Sequence, residues 1–576
     1  MEKRWKIKKP ADAEAVKKLS ESLNVNSIVA NLLLQRGISD FDSAKKFFRP
    51  SLSDLHDPFL MKDMDKAVER IEHAIKNEEN ILVYGDYDVD GTSAVALVFS
   101  FFSSIYANIH FYIPDRYKEG YGISTAGIDF ASENNFSLII ALDCGIKAND
   151  KITYAKEKKI DFIICDHHLP DEKIPDAVAV LDPKRPDCNY PFKELSGCGL
   201  GFKLVQAYAQ KNNIDFENLE QYLDLVVISI ASDIVPITDE NRTLAYFGLK
   251  QINTAPRQGI KTLLEINNVK RELTITDLVF IIGPRINAAG RVDSGSKAVE
   301  LLISANPEIA KLVSEEINKH NLDRRGLDTG TTEHALQMID NNEELQRKKT
   351  TVVFHAEWHK GVVGIVASRL TEKYYRPTIV LTQSNGMISG SARSVKDFDV
   401  YEAISTCSDL LEQFGGHKFA AGLSLKPENL KPFTDKFEKV VSATITDEML
   451  IPQVEIDMEI DFSEINPKML SIIKQFGPFG PGNMAPVFVT KNVTDKGWAK
   501  IVGTNHLKMD VYTGSNFQNS FSCIGFGLGE KLKIVSSKKV FSVCYTIEEN
   551  IFNGKVSLQL NVKDVKGSLD NNSAHL

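Results

Sequence analysis

Seven side chains able to hold a cation recur in four short segments of this chain: Asp86, Asp88 and Asp90 in YGDYDVDG, Asp143 in ALDCG, His167 and His168 in CDHHLP, and Asp233 in ASDIVP. The first three segments follow apolar, strand-like runs (ILV, SLII, DFII), and the fourth closes the apolar helical stretch YLDLVVISIA. Carboxylates rarely enter a protein interior without a partner. Their repeated placement at the ends of buried elements implies cations that hold them together, and hence metal-dependent hydrolysis.

Two other metal chemistries fail on spacing. D-x-D-x-D-G also opens a calcium-binding EF-hand, but that loop needs a glutamate at its twelfth position. Counted from Asp86, that residue is Leu97. Structural zinc favours four closed ligands with cysteine, and the seven scattered cysteines form no CxxC pair. Carboxylates with an imidazole suit Mn²⁺ or Mg²⁺. Two such ions about 3.5–4 Å apart can activate water and stabilise an in-line phosphoryl displacement. Asp143, alone on the middle strand, is the candidate bridge. Adjacent residues at a strand end face opposite sides, so one histidine is expected as ligand and the other toward phosphate. No GxxxxGK[ST] occurs, which excludes a P-loop. GGHKFAAG (Gly415 to Gly422) and GSARS (Gly390 to Ser394) together suggest a phosphate clamp. Arg393 could donate in bidentate fashion there, with Ser391 adding a hydroxyl.

The elements that must position these groups follow from the pattern. From Ile81 onward short β-type runs (ILVYGD, IHFYIP, LIIALD, DFIICD, VAVLDP) alternate with helical stretches, predicting a parallel sheet. Ligands of such sheets bind beyond the carboxyl ends of the strands, where the motif carboxylates fall. Residues before about Asn80 read as helical, and a polar helical stretch, roughly Ser294 to Arg347, follows GPRINAAGR. A second α/β segment runs from Thr351 to about Ile445, and residues after Pro452 turn β-rich, as in a small barrel or sandwich. The tail GSLDNNSAHL is expected to be disordered.

A chain of 576 residues accommodates roughly three or four domains. No apolar run approaches the ~20 residues of a membrane span. The N-terminal MEKRWKIKKPADAEAV lacks the apolar core of a secretory signal, so the cytoplasm is the expected compartment. The net charge of −9 does not exclude a nucleic-acid partner, because bound metals and local basic residues can supply positive charge where it is needed.

Taken together, DYDVDG, LDCG, CDHH and SIASDIVP resemble the four motifs of the DHH phosphoesterase superfamily, and GGHKFAAG resembles the glycine-rich motif of its DHH-associated domain. IPDRYKEGYG, LSGCGLGFKLVQA, GPRINAAGR, WHKGVVGIVASRL, GSARS and FGPFGPGNMAPVF are similar to the RecJ-type single-strand-specific exonucleases. The resemblance implies an α/β fold: a parallel-sheet DHH domain joined by a long helix to a smaller α/β DHH-associated domain, plus a C-terminal OB-fold-like β-barrel. The expected boundaries are 1–75 (helical extension), 76–295 (DHH), 296–347 (connecting helices), 348–450 (DHH-associated) and 451–568 (OB-fold).

The implied activity is 5′→3′ hydrolysis of single-stranded DNA to 5′-mononucleotides in DNA repair and recombination, with two divalent cations, Mn²⁺ or Mg²⁺. By resemblance Asp86, Asp88, Asp90, Asp143, His167 and Asp233 hold the metals. Asp90, Asp143, His167 and Asp233 form one metal's set, Asp88 and Asp143 the other's. His168 faces phosphate and Asp166 orients a histidine. Some relatives carry histidine where this chain has Tyr84, which leaves the first metal's shell open. Arg116, Ser391 and Arg393 match the set for the terminal 5′-phosphate; Asn287 and Arg291 match phosphate contacts near the scissile bond. Gly415, Gly416 and His417 belong to the glycine-rich phosphate and DNA-binding motif. Phe517, Phe521, Phe526, Trp498 and Lys508 are available to a single-strand grip, with some of the aromatics expected in the core. Expected partners are single-stranded DNA, a helicase and a single-strand-binding protein, with no membrane and a monomeric state. The competing readings are a DHH phosphodiesterase for short oligoribonucleotides or cyclic dinucleotides, and a non-catalytic DNA-binding scaffold that should have lost metal ligands.

Overall fold

The computed structural model describes residues 2–116, 118–292, 295–514, 517, 519–552 and 554–567, without the side chains of Arg291, Val292 and Phe552. Beyond Gly567 the tail lies outside the described residues. The chain forms two compact units: Pro10–Asn321 with Pro467–Ala485, and Met1–Lys9 with Leu322–Asn466 and Pro486–Leu576.

The N-terminal residues depart from the all-helical expectation at their start. β1 (Arg4–Ile7) is a strand of the second unit, paired in parallel with β12 (Gln453–Ile456). Its partner lies more than four hundred residues away, beyond any local pattern. Helices then follow, among them Ala13–Leu23, Ser27–Leu34 and Met64–Lys76.

The first unit is built on a five-stranded sheet of β2 (Asn80–Gly85), β3 (Ile109–Tyr112), β4 (Phe136–Leu142), β5 (Asp161–Cys165) and β6 (Ala179–Leu181), in the order β3-β2-β4-β5-β6. All four pairings are parallel. β2, β4 and β5 are buried along almost their whole length, as a sheet covered on both faces requires. The helices Val89–Ser103, Gly197–Lys211 and Leu223–Ser232 are apolar and almost wholly buried around it. The segment Pro467–Ala485 belongs to this unit although it follows the first strand of the β-rich region. It is tied in where the Ile237 amide donates to the Pro481 carbonyl (2.7 Å) and the Arg242 guanidinium to the Phe476 carbonyl (2.8 Å).

The helix Pro307–Asp340, 34 residues long, is the expected connector, and the boundary between units falls within it. In the second unit β7 (Thr351–Phe354), β8 (Thr378–Ser384), β9 (Met387–Arg393), β10 (Gln413–His417) and β11 (Ala420–Leu425) form a sheet ordered β10-β11-β9-β8-β7. Residues 415–417 of GGHKFAAG end β10, and Lys418 and Phe419 turn the chain into β11. The remaining strands β13 (Met458–Glu459), β14 (Phe488–Asp495), β15 (Lys500–Val502), β16 (His506–Thr513), β17 (Ser520–Gly525), β18 (Phe541–Phe552) and β19 (Lys555–Gly567) make one sheet. An extra β14–β16 pairing closes β14-β18-β19-β17-β16 into the expected barrel. Phe521 packs edge-on against Phe462 (5.2 Å), while Trp498, Phe517 and Phe526 are exposed.

Candidate metal centre

The centre is assembled at the carboxyl ends of β2, β4 and β5. Asp86 follows β2, and Asp88 caps the next helix by accepting from the Gly91 amide (3.0 Å). Gly91 is required: a Cβ there would lie 2.4 Å from the Asp86 carbonyl oxygen. Asp90, in the first turn, is buried and held by three donors. The Gly197 amide donates to its Oδ2 (2.7 Å), and the Cys198 amide (2.7 Å) and Ser229 hydroxyl (2.6 Å) donate to its Oδ1. Asp143 follows β4 in the left-handed region (φ 60°), anchored by its amide to the Cys165 carbonyl (2.8 Å).

His167 sits among the carboxylates. Its Nε2 is 3.1 Å from Asp143 Oδ1, 3.6 Å from Asp233 Oδ2 and 3.8 Å from Asp90 Oδ2. Ligand atoms of Asp90, His167 and Asp233, and of Asp143, His167 and His168, gather within 4.8 Å of one another. His168 turns its Nδ1 to Asp166 Oδ1 (2.7 Å) and its Nε2 to the Tyr121 hydroxyl (3.3 Å). Asp166 also accepts from the Ile146 amide (2.8 Å), so it fixes both the ring and the loop after β4.

The electrostatics favour positive charge here. Burial, and then the charges of Asp90, Asp88, Asp233 and Asp86, drive Asp143 well above the ordinary carboxylate range. Burial followed by Asp88 does the same to Asp86, and burial followed by Asp90 and Asp88 pushes Asp233 up to about 8. Burial holds His167 low, leaving a neutral imidazole with a free lone pair. Burial also opposes charge on His168, but the Asp166 hydrogen bond and the surrounding carboxylates outweigh it, raising it to about 9. Both oxygens of Asp86, Asp143 Oδ1 and both ring nitrogens of His167 are buried with no hydrogen bond. Each buried polar atom left so costs about 1–3 kcal/mol. Oxygen donors with one imidazole therefore fit a hard divalent cation.

Tyr84 is no ligand: its buried hydroxyl donates to the Gly122 carbonyl (2.9 Å) and accepts from the Ser124 amide (3.1 Å). It shapes the loop that carries Arg116, whose guanidinium lies over the Tyr87 ring (5.0 Å). The helix Gly283–Val292 meets the centre through small residues. A Cβ on Gly283 would come within 2.9 Å of Ser232 Oγ, and one on Gly290 within 2.5 Å of the Tyr87 carbonyl. Asn287 is half-buried on this helix; the Arg291 side chain lies outside the described residues.

Asp233 caps the helix Leu223–Ser232, and Ile234 follows at φ 61°. A left-handed conformation costs roughly 1–2 kcal/mol for a residue with a Cβ, and helix ends of this kind usually place glycine there.

The other expected residues lie in the second unit. Ser391 and Arg393, on β9, register against Gly422 and Ala420 of β11, which in turn pair with Gly415 and His417 of β10. Arg393 is half-buried, and desolvation of its guanidinium lowers its pKa. It donates to Ser391 Oγ (2.7 Å) and to the Ala392 carbonyl (2.8 Å). Gly364, in the first turn of the helix Val363–Tyr374, leaves the room beside it: a Cβ would meet Arg393 Nη2 at 3.1 Å and Ser391 Oγ at 3.2 Å. Gly415 and Gly422 face open space, and Gly416 adopts φ 144°. The residues not foreseen from sequence are Ser196, Gly197, Cys198, Ser229 and Tyr121. The signal for the first three was SGCG, whose spacing fits a helix N-terminus that receives a carboxylate.

Comparison with known proteins agrees with this arrangement. The DHH family, N-terminal domain, matches residues 80–230, the DHHA1 domain residues 347–443 and the RecJ OB domain residues 456–564. The chain is 36% identical over 97% of its length to the single-stranded-DNA-specific exonuclease RecJ of Bacillus subtilis (strain 168), covering 70% of that protein. It is 32% identical to the Escherichia coli (strain K12) protein of the same description, over 88% of this chain and 90% of that one. Among solved structures, RecJ in complex with Mn²⁺ from Thermus thermophilus shares the fold, with a TM-score of 0.84 at 24% identity, over 98% of this chain and 79% of that one. An exonuclease RecJ bound to manganese matches with a TM-score of 0.59 at 28% identity, over 69% of this chain and 98% of that one.

Proposed function

Because the chain belongs to the RecJ family of single-stranded-DNA-specific exonucleases, we propose that it hydrolyses single-stranded DNA from the 5′ end to 5′-mononucleotides, in DNA repair and recombination. The observation that carries this reading is the buried, unpartnered donor set of Asp86, Asp143 and His167, with Asp90 and Asp233 beside it. Asp86, Asp88, Asp90, Asp143, His167 and Asp233 would hold two divalent cations, Mn²⁺ or Mg²⁺, which supply a water of lowered pKa and neutralise charge on the scissile phosphate. Asp143, common to the two ligand sets that the family resemblance implies, would be the shared ligand.

The remaining groups position the strand. His168, held at Nδ1 by Asp166, offers Nε2 to a phosphate oxygen in place of the Tyr121 hydroxyl. Arg116, Asn287 and Arg291 contact phosphates in the first unit. In the second, Ser391, Arg393, Gly415, Gly416 and His417 bind phosphate. Among the described residues Arg393 has no carboxylate partner, and a half-buried guanidinium without one is suited to an oxyanion. The first turn of the neighbouring helix adds its own attraction for an anion. On the barrel, Trp498, Phe517 and Phe526 offer stacking faces. We place the protein in the cytoplasm as a monomer, acting with a helicase and a single-strand-binding protein; no helix among the described residues is long and apolar enough to cross a membrane.

The test is end-labelled digestion of single- and double-stranded DNA beside a dinucleotide, with polarity read from the products. Single strands should be consumed from the 5′ end, and Asp143→Ala should abolish cleavage while sparing DNA binding. Near-normal turnover by that variant would refute the bridging role, and a wide preference for the dinucleotide would overturn the substrate.

A further inference from the structure

We propose that Ile234 is a substrate-contacting residue that supports the sugar and base face of the strand beside the metal centre. The inference rests on the nuclease reading above. Ile234 directly follows Asp233, at the helix end where glycine is the usual residue, and it holds φ 61°. The left-handed region presses Cβ toward the following carbonyl, and a β-branched side chain suffers most there. Core packing does not compensate, because the residue is 62% exposed. Strain of this kind, held where the fold gains little from it, collects at functional sites.

Its surroundings indicate what it meets. Leu169, next to His168, is 59% exposed, and Phe280 is 72% exposed. Phe280 lies in the π-helical turn Leu278–Ile282, whose following residue, Gly283, packs on Ser232. Such turns recur at functional sites. Large apolar side chains thus emerge next to three polar parts of the centre: the phosphate-facing histidine, the Asp233 carboxylate and the Ser232 contact. Carboxylates and cations deal with phosphate and water. The apolar neighbours match the other surface of a nucleotide, its deoxyribose and base plane, and such contact reads no base edge, so it suits every sequence.

The test compares the wild type with Ile234→Leu and Ile234→Asn. Both remove the β-branch, asparagine tolerates the left-handed region, and only leucine keeps an apolar surface. The readouts are KM on a 5′-phosphorylated strand with Mn²⁺, Kd of a short labelled strand in EDTA, Mn²⁺ affinity by calorimetry, and Tm. Ile234→Asn should raise KM and strand Kd about tenfold, from roughly 50 Å² of apolar contact, with kcat and Mn²⁺ affinity within about twofold of wild type. Ile234→Leu should rescue both constants without lowering Tm. Equal strand affinity for the two variants would overturn the proposal, as would a loss in Ile234→Asn that tracks lost Mn²⁺ affinity, since Ile234 would then be supporting Asp233. If the wild type binds strands without cutting them, the nuclease reading fails, and the ratio of strand Kd values still decides the role of Ile234.

Discussion

Replacing Gly197 by alanine should disable the centre while leaving the fold intact. The added Cβ would lie 2.6 Å from Asp143 Cβ and 2.8 Å from both its Cγ and Oδ1. Ordinary carbon contacts are about 3.5–4.0 Å, so roughly 1 Å of movement is needed. Neither side can yield freely. The Gly197 amide holds Asp90 Oδ2 at 2.7 Å, and the Asp143 amide is bound to the Cys165 carbonyl at 2.8 Å. The displacement therefore reaches two of the candidate metal-binding carboxylates at once. A misplacement of ~1 Å at a reacting centre can cost about 100-fold, equivalent to roughly 2.7 kcal/mol of barrier. Overpacking should cost about 1–3 kcal/mol of stability, partly offset by alanine's advantage over glycine in a helix, up to ~1 kcal/mol. The assays are kcat/KM on an end-labelled strand, Mn²⁺ affinity by calorimetry and Tm. Gly199→Ala is the control on the same helix, because its Cβ would meet nothing closer than Ser196 Oγ at 3.3 Å. Activity of Gly197→Ala within threefold of the control, with unchanged Mn²⁺ affinity, would refute the reasoning.

Three further outcomes follow from the same geometry. Lys203 and Glu240 form an ion pair at 2.8 Å with side chains 0% and 1% exposed; Lys203→Met removes one partner of a buried pair and should destabilise the first unit by about 3–5 kcal/mol in chemical denaturation, whereas a loss below ~1 kcal/mol would show that the pair contributes little to the fold. Mn²⁺ at about 100 times its Kd should stabilise the protein by about 2.7 kcal/mol, read as a Tm increase that EDTA reverses and Asp143→Ala lacks; an equal increase in that variant would place binding elsewhere. Arg393→Lys loses the planar fork and should raise KM for strands carrying a 5′-phosphate more than for 5′-hydroxyl strands, measured side by side; equal losses would assign Arg393 a structural role.

The parts of this molecule legible from sequence are those whose physics is local. β2, β4 and β5 announced themselves as apolar runs ending in carboxylates, and Asp86, Asp143 and His167 stand where those runs end. The choice between the two histidines followed from strand alternation together with family resemblance; in the structure His167 lies among carboxylates and His168 against Asp166. What stayed hidden depends on long-range partners. SGCG stood only as part of a family motif, and the role of its glycines emerged with the helix they open, which holds Asp90 and presses on Asp143. Tyr84 looked like a substituted metal ligand because position alone suggested it, whereas its hydroxyl serves the Gly122–Ser124 loop.

The segment FGPFGPGNMAPVF shows the same limit on a larger scale. It falls inside the 451–568 segment expected to form the OB-fold, yet Pro467–Ala485 is part of the first unit. Asn483 donates to the Phe476 and Pro478 carbonyls and accepts from Arg36, and the Pro481 carbonyl holds the Ile237 amide at 2.7 Å. Ile237 lies four residues beyond Asp233. A stretch remote in sequence thus braces the loop that leaves a candidate metal ligand, so the catalytic unit is completed only after the chain has already built the DHH-associated sheet.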